Sequence, residues 1–151
     1  MKNIFRKEIT EEEVIERINK LSKDTQPNWG TMSVAQMLAH CSVTYEMVYI
    51  NKHQKPNAFT RWILKTIVKR AVVSEKPYPK NSRTAPQFII TDQKDFLKEK
   101  KRLENYIIQT QELGKSHFDG KESNSFGKLT SEEWNNMFYK HLDHHLTQFG
   151  V

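Results

Sequence analysis

Three times in this chain a Ser or Thr stands three positions ahead of a Glu or Gln, at the head of a periodic apolar run. The pairs are Thr10 with Glu13, Ser33 with Gln36, and Thr130 with Glu133. At that spacing the hydroxyl accepts from the N3 backbone N–H. The acidic or amide side chain reaches back to the cap N–H, and two donors left open by a helix start are satisfied together. A chain that marks its helix starts this often is constrained to pack helices. The first box heads "ITEEEVIERINKLSK", with Val14, Ile18 and Leu21 at helical intervals. The second heads "SVAQMLAHCSVTYEMVYINK". There Val34, Leu38, Cys41, Tyr45 and Val48 form one stripe, and Met37, His40, Thr44 and Met47 form the stripe beside it. So wide an apolar arc suits a helix buried between neighbours. The third heads "SEEWNNMFYKHLDHHLTQF", which Gly150 should stop.

A further long helix is predicted over "DQKDFLKEKKRLENYIIQTQEL", with Phe96, Leu103, Ile107 and the stem of Lys100 on one face and Gly114 as its stop. A shorter helix is predicted over "AFTRWILKTIVKRAVVS". The prolines of "EKPYPKNSRTAPQFII" argue for an irregular, partly extended crossover. "QFII" has strand character but nothing to pair with, and no hairpin turn is evident. The expectation is one all-α domain over residues 1–151: a four-helix bundle with an additional short helix and a long Pro-containing crossover.

Cys41 is the single cysteine, so no internal disulfide can form and a reducing compartment is the simple reading. The first twenty residues lack the apolar stretch of a signal peptide, and no run approaches the ~20 apolar residues of a membrane span. These features predict a cytoplasmic protein. The net charge is +6, with a pI near 9.4. Such a charge serves solubility or attracts an anionic partner. The segment "RWILKTIVKRAVVSEKPYPKNSR" concentrates it, with Glu75 as its one acid, in the manner of a basic amphipathic helix at a membrane surface or on phosphates. No helix-turn-helix or other nucleic-acid signature accompanies it, so nucleic acid is not the expected partner.

The chain has six histidines, and three fall within "HLDHH" of the last predicted helix. Trp134, Phe138, His141, His145 and Phe149 lie at helical spacing, one continuous stripe of otherwise large aromatic residues that should face the core. His141 and His145 then point inward one turn apart, the spacing at which two imidazoles reach one metal ion. His144 lies about 100° around the helix from His145 and should not share that ion. A third ligand is wanted, and His40, on a core-edge face of the second long helix, is the best candidate. His53 and His117 sit in polar, loop-like surroundings. The same pattern also fits neutral core histidines hydrogen-bonded to backbone or Tyr.

The stretches "NWGTMSVAQMLAHC", "YPKNSRTAPQFIITDQKDFLKEKKRL" and "SFGKLTSEEWNNMFYKHLDHHLTQFG" resemble the DinB/YfiT-like metalloenzyme superfamily, and within it a branch of bacterial proteins of unknown function. The resemblance runs from about Asn28 to Val151. It implies a four-helix bundle of up-down-down-up topology. It also implies a divalent metal, zinc or nickel foremost, held by one histidine of the second helix and two of an H-x-x-x-H in the last: His40, His141 and His145. One departure is local. Relatives often carry a His–Pro or similar pair just before the "FG" of "FGKLT", where this chain reads "ESNSFGKLT". The activity implied is metal-dependent transfer that uses a low-molecular-weight thiol, with glutathione or bacillithiol suited to the positive charge and His144 or Tyr45 as supporting residues. Cys41, on the apolar stripe, is not expected to be a nucleophile. The alternatives are a non-enzymatic bundle that binds an anionic partner through the basic segment, and a scaffold that forms a homodimer.

Overall fold

The computed structural model describes residues 1–50 and 52–151. Among the described residues there are five helices and a small two-stranded sheet, and helix accounts for 59% of the chain. Helix α1 covers residues 7–19, with π-helical bonding over Thr10–Ile15. Helix α2 is Val34–Tyr49. Helix α3 covers residues 58–73, π-bonded over Leu64–Val68. Helix α4 is Phe96–Phe118 and α5 is Ser131–Gln148. Strands β1 (Glu122–Ser123) and β2 (Gly127–Lys128) pair antiparallel between α4 and α5. Among the described residues, no helix is long and apolar enough to cross a membrane.

Two of the three expected capping boxes form with both hydrogen bonds. Ser33 and Gln36 open α2, and Thr130 and Glu133 open α5. The first box does not form. Helix α1 begins at Lys7, before Thr10, whose hydroxyl donates to the Ile4 carbonyl at 2.7 Å. Glu13 accepts from Lys2 and from the Tyr139 hydroxyl. The preceding segment and, for Glu13, Tyr139 of α5 claim both side chains of that box. Helix α5 ends in a Schellman motif: the Gly150 N–H reaches Thr147 O and the Val151 N–H reaches Leu146 O, with Gly150 at φ 77°. Gly114, expected to stop α4, instead kinks it at φ 71°, and helical bonding resumes to Phe118.

The hairpin corrects the expectation of no strand pair. Each strand has two residues, too short for any alternation to show. Its turn is held by the Ser123 hydroxyl, which accepts from the N–H groups of Ser125 and Phe126, and by Gly127 at φ 75°. "QFII" is not a strand: Pro86–Phe88 forms a single 3-10 turn within an otherwise irregular crossover.

The core runs along an aromatic chain. Trp134 and Phe138 of α5 stack 5.4 Å apart, Phe138 stacks on Tyr45 of α2 at 5.0 Å, and Phe118 of α4 meets both α5 rings. Leu103 and Ile107 of α4, Leu38 of α2 and Leu142 of α5 are buried around it. Beside this core a carboxylate network joins α2 to α4. Buried Glu46 takes Arg102 at 2.5 Å and His53 at 2.6 Å, and Arg102 also meets Glu99 at 2.6 Å. The opposing charges and the His53 hydrogen bond hold the Glu46 carboxyl below its usual range in spite of burial, which acts the other way and is the largest single influence.

Candidate metal centre

The aromatic stripe of α5 places His141 and His145 inward above Phe138, and α2 presents His40 from the facing side. Their ring nitrogens lie within 4.8 Å of one another, a group with the composition and spacing to hold a metal ion. His40 and His145 are buried and His141 is half-buried.

Each ring is held from behind through Nδ1. The His40 Nδ1 lies 2.8 Å from the Phe88 carbonyl oxygen. A carbonyl only accepts, so Nδ1 carries the proton and the Nε2 of the neutral ring is a bare lone pair. The His145 Nδ1 lies 2.8 Å from Gln148 Oε1. The Gln148 amide nitrogen donates to the Trp29 carbonyl at 2.6 Å, which fixes the amide's orientation and makes Oε1 the acceptor. His145 therefore also presents a bare Nε2. The His141 Nδ1 lies 3.0 Å from the Thr44 hydroxyl, which can either donate or accept.

The Nε2 atoms of His40 and His141 are 3.0 Å apart. With Thr44 accepting, two lone pairs face each other at that distance, and a cation bound by both makes the contact favourable. With Thr44 donating, His141 carries its proton on Nε2 and gives it to His40. The Thr44 hydroxyl thus accommodates both the ion-bearing and the ion-free arrangement.

Burial depresses the pKa of all three rings. His40 falls below its ordinary value through desolvation, against the hydrogen bond to Phe88. His141 falls well below it through desolvation and then the neighbouring histidines. His145 is pushed down to about 3 by desolvation and the His40 charge. Neutral imidazoles are the form that binds metal, so the donor set is ready at neutral pH.

The trio faces a cleft of about 760 Å³. Leu64, Val68 and Val72 of α3 form one wall, and the crossover supplies another through Phe88 and Ile90. Among the described residues, Arg83 is the one Arg or Lys of the lining, and no Asp or Glu lines it. His144 lines the cleft but stands outside the trio, edge-on to His145 at 5.0 Å, to Trp29 at 5.9 Å and to Tyr78 at 5.8 Å. Tyr45, considered as a supporting residue, lies elsewhere: it is stacked between Phe138 and Tyr106, and its buried hydroxyl has no partner among the described residues. Thr44, its neighbour in sequence, makes the contact. Cys41 is buried, and burial pushes its thiol pKa up, so it is a core residue. His53 bonds Glu46, and exposed His117 lies beside Lys121. Of the segment that departs from the His–Pro pattern, Ser123, Asn124 and Ser125 all line the cleft, and the Asn124 amide is engaged with the Met47 carbonyl.

The residues behind the rings carried partial signals. Thr44 lies one turn after His40 on the same stripe, and Gln148 lies three residues after His145, where helical side chains meet. The Phe88 carbonyl carries none, because it belongs to the backbone of an irregular segment. Gly30 serves the same arrangement. It has φ +81°, and a Cβ there would lie 2.6 Å from Gln148 Nε2. The tight "NWG" turn thus leaves room for the amide that holds His145.

No curated protein and no solved structure matches the chain. A family does, over residues 8–150, so the chain belongs to the family described as Protein of unknown function (DUF1569).

Proposed function

We propose that this chain is a four-helix bundle of the DinB/YfiT-like type, one domain throughout, with a divalent metal centre at His40, His141 and His145. The best reading of its activity is metal-dependent transfer that uses a small anionic thiol. The observation that carries the metal reading is the set of Nδ1 partners. Phe88 O and Gln148 Oε1 force bare Nε2 atoms on two rings, and the third closes to 3.0 Å. Carbonyl and amide partners behind metal-binding histidines fix the tautomer and raise ligand basicity. Imidazole donors suit zinc or nickel. When bound, such an ion supplies a Lewis acid that favours the thiolate form of a thiol.

The chain's own residues supply the rest. The acid-free lining, with Arg83 at the crossover, suits an anionic thiol such as glutathione or bacillithiol. The apolar wall of Leu64, Val68 and Val72 suits an electrophile and excludes water. His144, with its pKa lowered chiefly by burial, is neutral and placed to take a proton in the cleft. The test is thiol consumption with an electrophilic acceptor, run on zinc- or nickel-loaded protein, on chelator-stripped protein and on the His40→Ala variant. Consumption that needs both the metal and His40 supports the reading. Equal rates in all three samples would reject it.

A further inference from the structure

Helix α3 has a second face that the cleft does not use. Leu64, Val68 and Val72 turn inward. On the outside Phe59, Trp62 and Ile67 are 71%, 61% and 68% exposed. Phe59 and Trp62 stack on each other with centroids 6.4 Å apart, so the two rings form one ridge. Single exposed apolar side chains are ordinary, but three large ones on a single 16-residue stretch of helix mark a surface with a partner.

Charge narrows the partner. Helix α3 contains Arg61, Lys65, Lys69 and Arg70 and no acid. Arg61 pairs with Glu122 and Lys69 with Glu133, which pins the inner edge of α3 to the hairpin and to α5. The ridge is therefore held outward. Arg70 is exposed on the helix, Lys65 is exposed with its stem lying beside Gly127 of the hairpin, and Lys55 and Lys76 are exposed on either side, as is Lys52, which pairs with Glu46. Between Met47 and Thr91 the one acidic residue is Glu75.

We infer that α3 docks this protein, without spanning, onto an anionic lipid bilayer. Phe59, Trp62 and Ile67 would enter the boundary between headgroups and acyl chains, while Lys65, Arg70 and the flanking lysines meet lipid phosphates. A helix with aromatic and aliphatic residues on its outer face, Lys and Arg beside them, and no acid is the form that lies in this interface. At about 1.5 Å per residue, Phe59 to Ile67 extend about 12 Å along α3. The ridge is convex rather than grooved, so it suits insertion. Nucleic acid would reward the cations but gain nothing from Ile67, and an acidic protein could be held by the cations alone. The inference does not rest on the metal reading.

The test is flotation of the full chain with vesicles of phosphatidylcholine and phosphatidylglycerol at low ionic strength, beside vesicles of phosphatidylcholine alone. Retention on the anionic vesicles is expected. It should fall about tenfold or more in a Phe59→Ser/Trp62→Ser variant and by a similar factor in Lys65→Gln/Arg70→Gln. Circular dichroism of both variants should match the parent, since Phe59, Trp62, Lys65 and Arg70 are exposed and none is part of the core. Absence of flotation would overturn the inference. So would a Phe59→Ser/Trp62→Ser variant that floats as well as the parent, because the surface would then be a polycation for acidic partners in general.

Discussion

The two walls of the histidine cleft are built in opposite ways. The wall made by α2 and α5 is buried and bonded throughout: both helices start in complete capping boxes, and every histidine of the trio has an Nδ1 partner. The wall made by α3 and the crossover is largely exposed. It is attached by Arg61 to Glu122, by Lys69 to Glu133, by the Asn136 amide to the Val73 carbonyl, by the Phe88 carbonyl to His40 and by Lys140. Lys140 is the firmest of these. Although 3% exposed, it donates to the Ala71 and Ser74 carbonyls at the end of α3 and lies over the Tyr78 ring. Burial lowers its pKa to about 8. The contrast separates duties. The three rings and two of their Nδ1 partners, Thr44 and Gln148, reside in the bonded wall, while the crossover supplies the third partner, the Phe88 carbonyl, and α3 shapes the cleft.

That contrast can be broken or sharpened by a series of changes. The largest effect is expected from Phe138→Ala, which removes the ring that touches Tyr45, Phe118 and Trp134. It should cost about 3–5 kcal/mol in denaturant titration. A cost under about 1 kcal/mol would mean the bonded wall is not the stability core.

Acid should act on the same wall. Metal-free protein holds His145 at about 3, while an unfolded histidine titrates near ~6.5. Between those values the unfolded chain binds a proton that the folded chain refuses. Stability is therefore greatest above the unfolded value and is lost as pH falls, by about 1.4 kcal/mol per pH unit for each such proton. A urea midpoint unchanged from neutral pH to pH ~5 would contradict the neutral buried rings.

Lys140→Met should cost about 1–3 kcal/mol by leaving the two carbonyls unpaired. Its amide hydrogen exchange should rise in α3 and stay unchanged in α2 and α5. Exchange that rose equally in all three would erase the distinction between the walls. Phe59→Ser should shift stability by no more than about 0.5 kcal/mol, as expected of an exposed position.

Much of the bonded wall was legible in sequence, because its signals are local. The boxes at Ser33 and Thr130 depend on residues three apart, and the stripe from Trp134 to Phe149 depends on helical period alone. The pairing of His40 with His141 and His145 followed from the faces of two helices, and the family resemblance implied the same trio. The box at Thr10 failed because the helix starts earlier, at Lys7, and the nearby Ile4 carbonyl and the distant Tyr139 hydroxyl bond its side chains. The hairpin was invisible because two-residue strands carry no periodicity. Gly114 was recognised as a breaker, but nothing local says whether a chain resumes its helix afterwards. The crossover's part in the site, a backbone carbonyl at Phe88, has no side-chain signature.

The proposed metal centre can be probed from behind before it is probed directly. Gln148→Ala should weaken metal binding about 10- to 100-fold, because it frees the His145 ring. Gly30→Ala should act in the same direction by displacing that amide. The most direct measurement is elemental mass spectrometry of untagged protein beside the His141→Ala/His145→Ala double variant, each after incubation with zinc or nickel and desalting. The account predicts near-stoichiometric metal in the parent and its loss in the variant. Metal absent from both, or equal in both, would contradict a three-histidine centre.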